Sequence, residues 1–284
     1  MSKIQNKLSK SFQSFNKSPY SSVKISSYFD VYDALFSKYI GKNITFVEVG
    51  VLGGGSLFMW RDFFGPNARI IGIDLNPGAK RWEKDDFEIY IGSQSDPLFW
   101  KKTLEDIGEV DVVLDDGGHT YEQQIITVES CKKSMKDGGM IVVEDTHTSY
   151  MRKFGPKKYS FINYAHNITN RINDRFYALS RNNVKETSIY SVRFFQCFVV
   201  FDINRELSTE PHEGIENNKN NTNQVDYRFY SHKLVFYLEK IINEKGIIQK
   251  LLILKPLLKI IRHIILIYIS FVTRFKLRKY FKNS

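Results

Sequence analysis

The chain has 284 residues, of which 42% are hydrophobic and 25% are charged. This length accommodates one core domain with terminal additions, and the composition is that of a water-soluble globular protein, not of one built mainly from membrane-spanning helices. The net charge of +10 is concentrated at the chain ends, since no acid precedes Asp30 and none occurs over residues 252–284. Charge placed in this way argues against a nucleic-acid-binding core, and we expect no nucleic-acid partner.

The first 27 residues are rich in Ser, Lys and Asn and show no helical or strand periodicity, so we expect a basic flexible arm over residues 1–27. The arm has no continuous apolar segment before Val23, and a secretory signal is therefore not expected. An amphipathic helix follows, because apolar residues recur at spacings of three and four from Tyr28 to Ile40 before Gly41 ends the pattern.

Short apolar runs come next, and each leads into a helical stretch. The runs are residues 44–50, 69–75, 87–93, 110–116 and 140–145, and the clearest helices between them are predicted over 56–64, 96–107 and 120–135. Strands that alternate with helices predict a parallel sheet covered on both faces, the doubly wound Rossmann-like α/β architecture. After a further helix over 160–179, the runs SIYSVRFF and QCFVVFDI predict a hairpin that finishes the sheet antiparallel. This core domain is expected to span residues 28–205.

The remaining chain differs from the core in composition. Residues 206–225 are rich in asparagine and predict a disordered linker, whereas residues 226–284 predict a helical tail that ends both apolar and basic. The longest uncharged run near its end, residues 264–273, is ten residues long, while a spanning helix needs about 20. We therefore expect no membrane span, and two interpretations stay open: a helix in the membrane interface, and a helix packed on the core or on another subunit.

The two cysteines indicate the cellular compartment of the protein. Cys131 and Cys197 lie far apart, without the spacing of a metal site or a redox pair. They indicate two thiols in a reducing compartment rather than a disulfide framework. We therefore expect a cytoplasmic protein.

A glycine-rich turn follows the first predicted strand, with Glu48 and Gly50 before it and Ser56 after Gly53-Gly54-Gly55. Glycines allow the backbone to approach a ligand closely, and a helix N-terminus offers unpaired N–H groups. NAD enzymes carry G-x-G-x-x-G at the same place, from which the spacing here departs, and tight packing alone also explains some glycines. Asp74 strengthens the signal, because an acid at the end of the second strand can accept both ribose hydroxyls of a nucleotide. The alternative is a solvated acid at a strand end.

Four acids and a histidine end the fourth and fifth strands: Asp115, Asp116, His119, Glu144 and Asp145. Neighbouring parallel strands bring such residues to one crevice, where carboxylates repel one another unless a cation joins them. Oxygen donors favour Mg²⁺, which can bind vicinal hydroxyls and lower their pKa. An imidazole beside that ion is suited to take a hydroxyl proton. The alternatives are a structural histidine and a helix cap at the last two acids.

Together these segments resemble the class I S-adenosylmethionine-dependent methyltransferases, in particular the mycinamicin-type macrolide sugar O-methyltransferases and the related cephalosporin hydroxylase-like family. The resemblance is carried by VEVGVLGGGSLFMW, GIDLNP, VLDDGGHTYEQQ, GGMIVVEDTHTSY and VRFFQCFVVFDI. It implies a mostly parallel seven-stranded sheet with an antiparallel last strand. Gly118 departs from the family, which usually has a small polar residue there, and the tail beyond residue 204 has no counterpart.

The resemblance also implies a function, namely O-methylation of a hydroxyl on a sugar or glycosylated small molecule by S-adenosylmethionine, assisted by Mg²⁺. It implies a general base at His119, metal ligands at Asp116, Glu144 and Asp145, and cofactor-binding residues at Glu48, Gly50, Ser56, Asp74, Gln94 and Asp115. A homo-oligomer is a further implication. From composition alone, residues 252–284 predict peripheral contact with the inner face of a membrane, near a lipid-linked glycan.

Two other functions fit parts of the sequence. An NAD-type oxidoreductase would share the fold, but hydride transfer does not need the cluster of acids and histidine. A non-catalytic methyltransferase-fold scaffold at a membrane surface would need only the fold and the tail. Retention of the cluster argues against a scaffold, because crowded acids are energetically costly.

Overall fold

The computed structural model describes residues 9–176, 179, 186–210, 213–215, 217, 219, 227, 230–243 and 254–281. The chain divides into two compact units, Met1–Gly214 and Ile215–Ser284. The predicted boundary between core and tail, within residues 206–225, includes this division.

The first unit is built on one sheet, and its strands are β1 Thr45–Val49, β2 Arg69–Asp74, β3 Glu88–Ile91, β4 Val110–Asp115, β5 Met135–Val143, β6 Ile189–Phe195 and β7 Phe198–Ile203. Their spatial order is β3-β2-β1-β4-β5-β7-β6. The first five strands are parallel, and β7 lies antiparallel between β5 and β6. The predicted doubly wound sheet of seven strands with an antiparallel last strand is therefore confirmed.

Helices cover both faces of this sheet, and their bounds are α1 Lys10–Lys17, α2 Tyr28–Phe36, α3 Gly55–Phe64, α4 Pro97–Ile107, α5 Tyr121–Cys131, α6 Phe161–Asn173 and α7 Arg205–Thr209. Shorter 3-10 segments are Ser37–Tyr39, Pro77–Asp85, Thr146–Tyr150, Arg152–Phe154 and Lys157–Tyr159. Because side chains alternate along a strand, Phe46 of β1 packs with α2 and α3, while Val47 packs in the opposite cluster with α4, α5 and α6. The near-continuous Val and Ile runs follow from this two-sided burial.

Two predicted helices end earlier than expected. The helix predicted over 120–135 ends at Cys131, because Met135 begins β5 and pairs with Val110. Met135 is buried in the core on the face covered by α5, so tertiary packing overrides the local helical pattern. The helix predicted over 160–179 covers only Phe161–Asn173, with Ser160 as its N-cap.

The N-terminal arm is not a flexible segment. Residues 1–8 lie outside the described residues, but Ser9 caps α1, and α1 packs on α3 and α2. The rings of Phe12 and Phe15 contact Phe29, and Ser14 donates a 2.6 Å hydrogen bond to Asp62. The prediction of a flexible arm is wrong for residues 9–27, because contacts with the core stabilise a segment whose composition resembles disorder.

The second unit contains α8 Lys233–Asn243, α9 Leu254–Leu277 and a final 3-10 turn Arg278–Phe281. The predicted helical tail is thus present, although residues 244–253 lie outside the described residues, as does much of the predicted linker. Within the described chain, one helical segment of 26 residues, Pro256–Phe281, is long and apolar enough to cross a membrane, and its most apolar 18-residue stretch has a mean hydropathy of 1.6. The structure therefore does not support the sequence-based argument against a span.

Candidate active site

A cavity of about 730 Å³ opens at the carboxyl ends of β1, β2 and β4. Its walls include the glycine-rich turn after β1, Asp74 at the end of β2, Gln94 after β3 and the turn with His119 after β4. Residues 21–23 of the N-terminal arm form a further wall. The cavity lies where open parallel sheets bind their ligands.

Gly50 forms the turn that begins the cavity. Its φ is +93°, and a Cβ atom at this position would lie 2.1 Å from the carbonyl oxygen of Asp116. The backbone N–H groups of Val51 and Leu52 both donate 2.9 Å hydrogen bonds to the Asp74 carboxylate. Asp74 therefore holds the glycine-rich turn in place while its carboxylate faces the cavity.

Glu48 lies beneath the cavity and is not among its lining residues. Its fully buried carboxylate accepts hydrogen bonds from Ser56 Oγ at 2.8 Å and from Trp60 Nε1 at 2.9 Å. Burial raises the pKa of Glu48 to about 7. Glu48 thus supports the start of α3 from behind the cavity wall, whereas Ser56 lines the cavity. The cofactor contacts predicted for these two residues stay predictions.

Gln94 and Asp115 form one connected pair. The Gln94 amide donates to both oxygens of Asp115, at 3.0 and 3.2 Å, and its carbonyl oxygen accepts a 2.9 Å hydrogen bond from the Gly118 N–H. Asp115 is fully buried, and burial raises its pKa. Gln94 lines the cavity, and Asp115 lies behind it and holds Gln94 in place. The cofactor contacts predicted for both residues stay predictions.

Three predicted site residues converge on one edge of the cavity. A ligand atom from each of Asp116, His119 and Asp145 lies within 4.8 Å of the others. His119 Nε2 is 3.5 Å from Asp145 Oδ2 and 3.9 Å from Asp116 Oδ1, and His119 Nδ1 is buried without a hydrogen-bond partner among the described residues. The structure therefore brings together the expected base and two of the expected metal ligands.

Glu144, the third expected metal ligand, is buried and fully paired. Its Oε1 accepts a 2.9 Å hydrogen bond from Lys24 Nζ, and its Oε2 accepts one of 2.6 Å from the Tyr32 hydroxyl. Lys24 Nζ also donates to Asp116, and the Tyr28 hydroxyl donates to Asp145. Asp116 and Glu144 thus share the ammonium group of Lys24, a cation that the chain itself supplies.

Lys24, Tyr28 and Tyr32, which come from the arm and from α2, are site residues that were not predicted from the sequence. Burial alone would lower the pKa of Lys24, but the neighbouring charges, that of Glu144 first, raise it well above its usual value. A cluster of buried acids indicates that a basic residue lies nearby. The four-residue spacing of Tyr28 and Tyr32 places both side chains on one face of a helix. Neither signal identifies Lys24 among the lysines of the arm.

The donor set fits a hard cation. Carboxylate oxygens converge at the site, and the Lys24 ammonium already occupies a place between two of them as a stand-in positive charge. Asp116 and Asp145 both line the cavity, whereas Glu144 does not.

Known proteins are similar to this chain in sequence. Residues 47–146 match the model of a family described as a methyltransferase domain. The chain is 32% identical over 132 residues to the 8-demethyl-8-(2-methoxy-alpha-L-rhamnosyl)-tetracenomycin-C 3'-O-methyltransferase of Streptomyces olivaceus, a match that covers 44% of this chain and 33% of that protein. It is also 32% identical over 133 residues to the mycinamicin VI 2''-O-methyltransferase of Micromonospora griseorubida, which covers 44% and 32% of the two chains. The match thus spans about a third of the length of these curated relatives.

A solved structure shows the same fold. The MycE methyltransferase from the mycinamycin biosynthetic pathway, in complex with Mg and SAH, superposes with a TM-score of 0.60 at 21% identity, covering 74% of this chain and 57% of that chain. The resemblance to the sugar O-methyltransferases is therefore confirmed: the first unit has the class I methyltransferase fold, and residues 47–146 within it match the methyltransferase domain family.

Proposed function

We propose that this chain is an S-adenosylmethionine-dependent O-methyltransferase that acts on a hydroxyl of a sugar or of a glycosylated small molecule. The observation that carries the proposal is the meeting, at one cavity, of the glycine-rich turn fixed by Asp74 with the cluster of Asp116, His119 and Asp145. Proteins named as O-methyltransferases of a rhamnosyl-tetracenomycin C and of mycinamicin VI are 32% identical to parts of this chain. The match to the methyltransferase domain family, residues 47–146, includes Asp74 and the cluster of Asp116, His119 and Asp145.

The cofactor would bind at the first part of the cavity. Gly50 and Ser56 offer a closely approachable backbone and a hydroxyl, and Asp74 and Gln94 offer a carboxylate and an amide. When bound, the sulfonium supplies the reactive methyl group, while the protein supplies position and charge. Residues 21–23 of the arm also line the cavity.

The acceptor hydroxyl would lie beside His119. Its imidazole is placed to take the hydroxyl proton at Nε2, and the Asp145 carboxylate 3.5 Å away would stabilise the imidazolium that forms. Mg²⁺ held by Asp116 and Asp145, together with Glu144 in the absence of Lys24, would add positive charge beside the acceptor oxygen. The acid cluster and His119 would thus serve removal of the acceptor hydroxyl proton as the oxygen takes the methyl group.

Titration of the full chain with S-adenosylhomocysteine tests this proposal, with NADH as the control ligand. We expect micromolar binding of S-adenosylhomocysteine to the unaltered chain, and binding about 10- to 100-fold weaker for Asp74→Asn, because a charge-assisted hydrogen bond contributes about 1.5–3 kcal/mol. Asp106→Asn, an exposed acid on α4 outside the cavity, is the matched control and should bind normally.

Three other outcomes of the titration would contradict parts of this proposal. Binding of NADH alone would indicate an oxidoreductase instead of a methyltransferase. Binding of neither ligand would favour a non-catalytic scaffold. Equal affinity in Asp74→Asn and in the unaltered chain would remove Asp74 from the cofactor site.

We further propose that the second unit attaches this cytoplasmic enzyme to the inner face of a membrane. Large apolar side chains along α9, among them Ile264, Ile267 and Phe271, are exposed, and residues 252–284 contain lysines and arginines but no acid. An apolar surface bordered by cations complements anionic lipid. The acceptor could then be a lipid-linked glycan.

Co-sedimentation with vesicles that contain phosphatidylglycerol is expected for the full chain, and a chain ending at Gln224 is expected to stay in solution with its cofactor affinity intact. Vesicles of phosphatidylcholine alone are the control for charge. Release by high salt would indicate a helix in the interface, and resistance to alkaline extraction would indicate a span. A full chain that never sediments with anionic vesicles would contradict the attachment.

A further inference from the structure

Lys24 lies at the centre of a segment that crosses the cavity. We name residues 18–27, between α1 and α2, the strap; Ser21, Ser22 and Val23 of the strap line the cavity. The side chain of Lys24 turns inward and is only 2% exposed, with its Nζ bonded to Asp116 and Glu144. The strap and the acid cluster are therefore joined by one side chain.

We propose that Lys24 is an exchangeable cation of this site, which competes with a divalent metal ion for Asp116 and Glu144 and releases the strap when the metal binds. The inference rests on the cation-binding role that the proposed function gives to these acids. It goes further by giving the arm control over metal binding and over access to the cavity.

The competition between Lys24 and a metal ion follows from the hydrogen bonds that the carboxylate oxygens of Asp116 and Glu144 already accept. Both oxygens of Glu144 are engaged, one by Lys24 and one by Tyr32, and Lys24 also occupies Oδ2 of Asp116. A divalent ion bound at these oxygens would lie at short range from the ammonium, and the two cations would repel each other strongly in a buried site. Full coordination by the three acids therefore requires Lys24 to withdraw.

The packing of the strap makes withdrawal feasible. On either side of Lys24, the side chains of Val23 and Ile25 are 90% and 48% exposed, so they contribute little apolar burial. The strap is fixed further away, where Ser18 Oγ donates to the Gly55 carbonyl oxygen at 2.8 Å and Tyr20 packs against Trp82. The backbone of Ser21 also lies close to Gly53 and Gly55. Between Ser21 and α2, the ion pairs of Lys24 are the main attachment of the strap among the described residues.

Mn²⁺ binding, measured by electron paramagnetic resonance on the full chain without any cofactor, tests the competition. Lys24→Met removes the ammonium and keeps a long apolar side chain, and Lys17→Met removes an exposed arm lysine that pairs with Asp62. We expect Lys24→Met to bind Mn²⁺ at least about tenfold more tightly than the unaltered chain, which corresponds to about 1.4 kcal/mol. Lys17→Met and the charge-conserving Lys24→Arg should bind like the unaltered chain.

A second measurement follows the strap itself. Hydrogen exchange of the amides of residues 18–27 is expected to accelerate when Mn²⁺ is added to the unaltered chain, and to be fast in Lys24→Met with or without the ion. Thermal unfolding of Lys24→Met with saturating Mn²⁺ shows whether the variant is folded, and the added ion should stabilise it more than it stabilises the unaltered chain.

Equal Mn²⁺ affinity in Lys24→Met and the unaltered chain would overturn the proposal. Weaker binding in Lys24→Met, or no Mn²⁺ binding by any of these proteins, would overturn it as well. Because the titration uses no cofactor, a chain that fails to bind S-adenosylhomocysteine but shows the expected Mn²⁺ affinities would contradict the proposed function and leave the competition standing.

Discussion

Replacing His119 by asparagine is expected to lower the rate of methyl transfer by about 10²- to 10⁴-fold, the usual contribution of a general base, while affinity for S-adenosylhomocysteine stays unchanged. His119 lines the cavity and lies 3.5 Å from Asp145, which would stabilise its protonated form. Its φ is +58°, a conformation that asparagine tolerates better than most residues. Asparagine therefore removes the base without adding backbone strain.

His147 provides the matched control for this variant. Its Nδ1 lies 3.7 Å from the same carboxylate of Asp145, but His147 is not among the residues that line the cavity. Transfer of labelled methyl groups to a panel of free and lipid-linked glycosides should fall in His119→Asn and persist in His147→Asn. Equal loss of methyl transfer in both variants would indicate that the two histidines act through the placement of Asp145. Full activity in His119→Asn would exclude His119 as the base.

The strands and the turn after β1 were predictable because their signals are local. Val and Ile runs give the strand positions, and Gly50 is dictated by a backbone conformation and a close approach that only glycine permits. The acids after β4 and β5 were predictable for a similar reason, since neighbouring parallel strands end at the same edge of a sheet. Asp116, His119 and Asp145 accordingly lie together.

Other features depend on tertiary contacts that a linear pattern does not contain. Glu48 lies two residues from Gly50 in sequence, but it shares a strand face with Phe46 and is therefore buried against α3 instead of facing the cavity. Helix α1 has a polar composition, and its buried Ser11 and Ser14 donate hydrogen bonds to Phe29 on α2 and to Asp62 on α3. No local rule predicts which arm lysine reaches the acid cluster.

Gly50→Ala is expected to destabilise the first unit by about 3–5 kcal/mol, whereas Gly65→Ala should cost about 1–2 kcal/mol. The two glycines have nearly the same φ, +93° and +92°, so both substitutions force a side chain into the left-handed region. At Gly50 the new Cβ would also lie 2.1 Å from the carbonyl oxygen of Asp116 and 2.9 Å from the Cα of Gly117, while at Gly65 no described atom lies within 4 Å. The difference between the variants therefore isolates the close approach of two backbones.

Urea unfolding followed by tryptophan fluorescence measures this difference in the first unit, because all three tryptophans, Trp60, Trp82 and Trp100, belong to that unit. The contact at Gly50 joins the end of β1 to the turn that carries Asp116 and His119, next to the 2.9 Å hydrogen bond from the Asp116 N–H to the Val49 carbonyl oxygen. A Cβ at this point would push the glycine-rich turn and the acid cluster apart. Gly50→Ala should therefore also lose affinity for S-adenosylhomocysteine, and Gly65→Ala should retain it. Equal destabilisation of the two variants would mean that the ends of β1 and β4 move apart freely, which would contradict a site whose two halves are held in place by this contact.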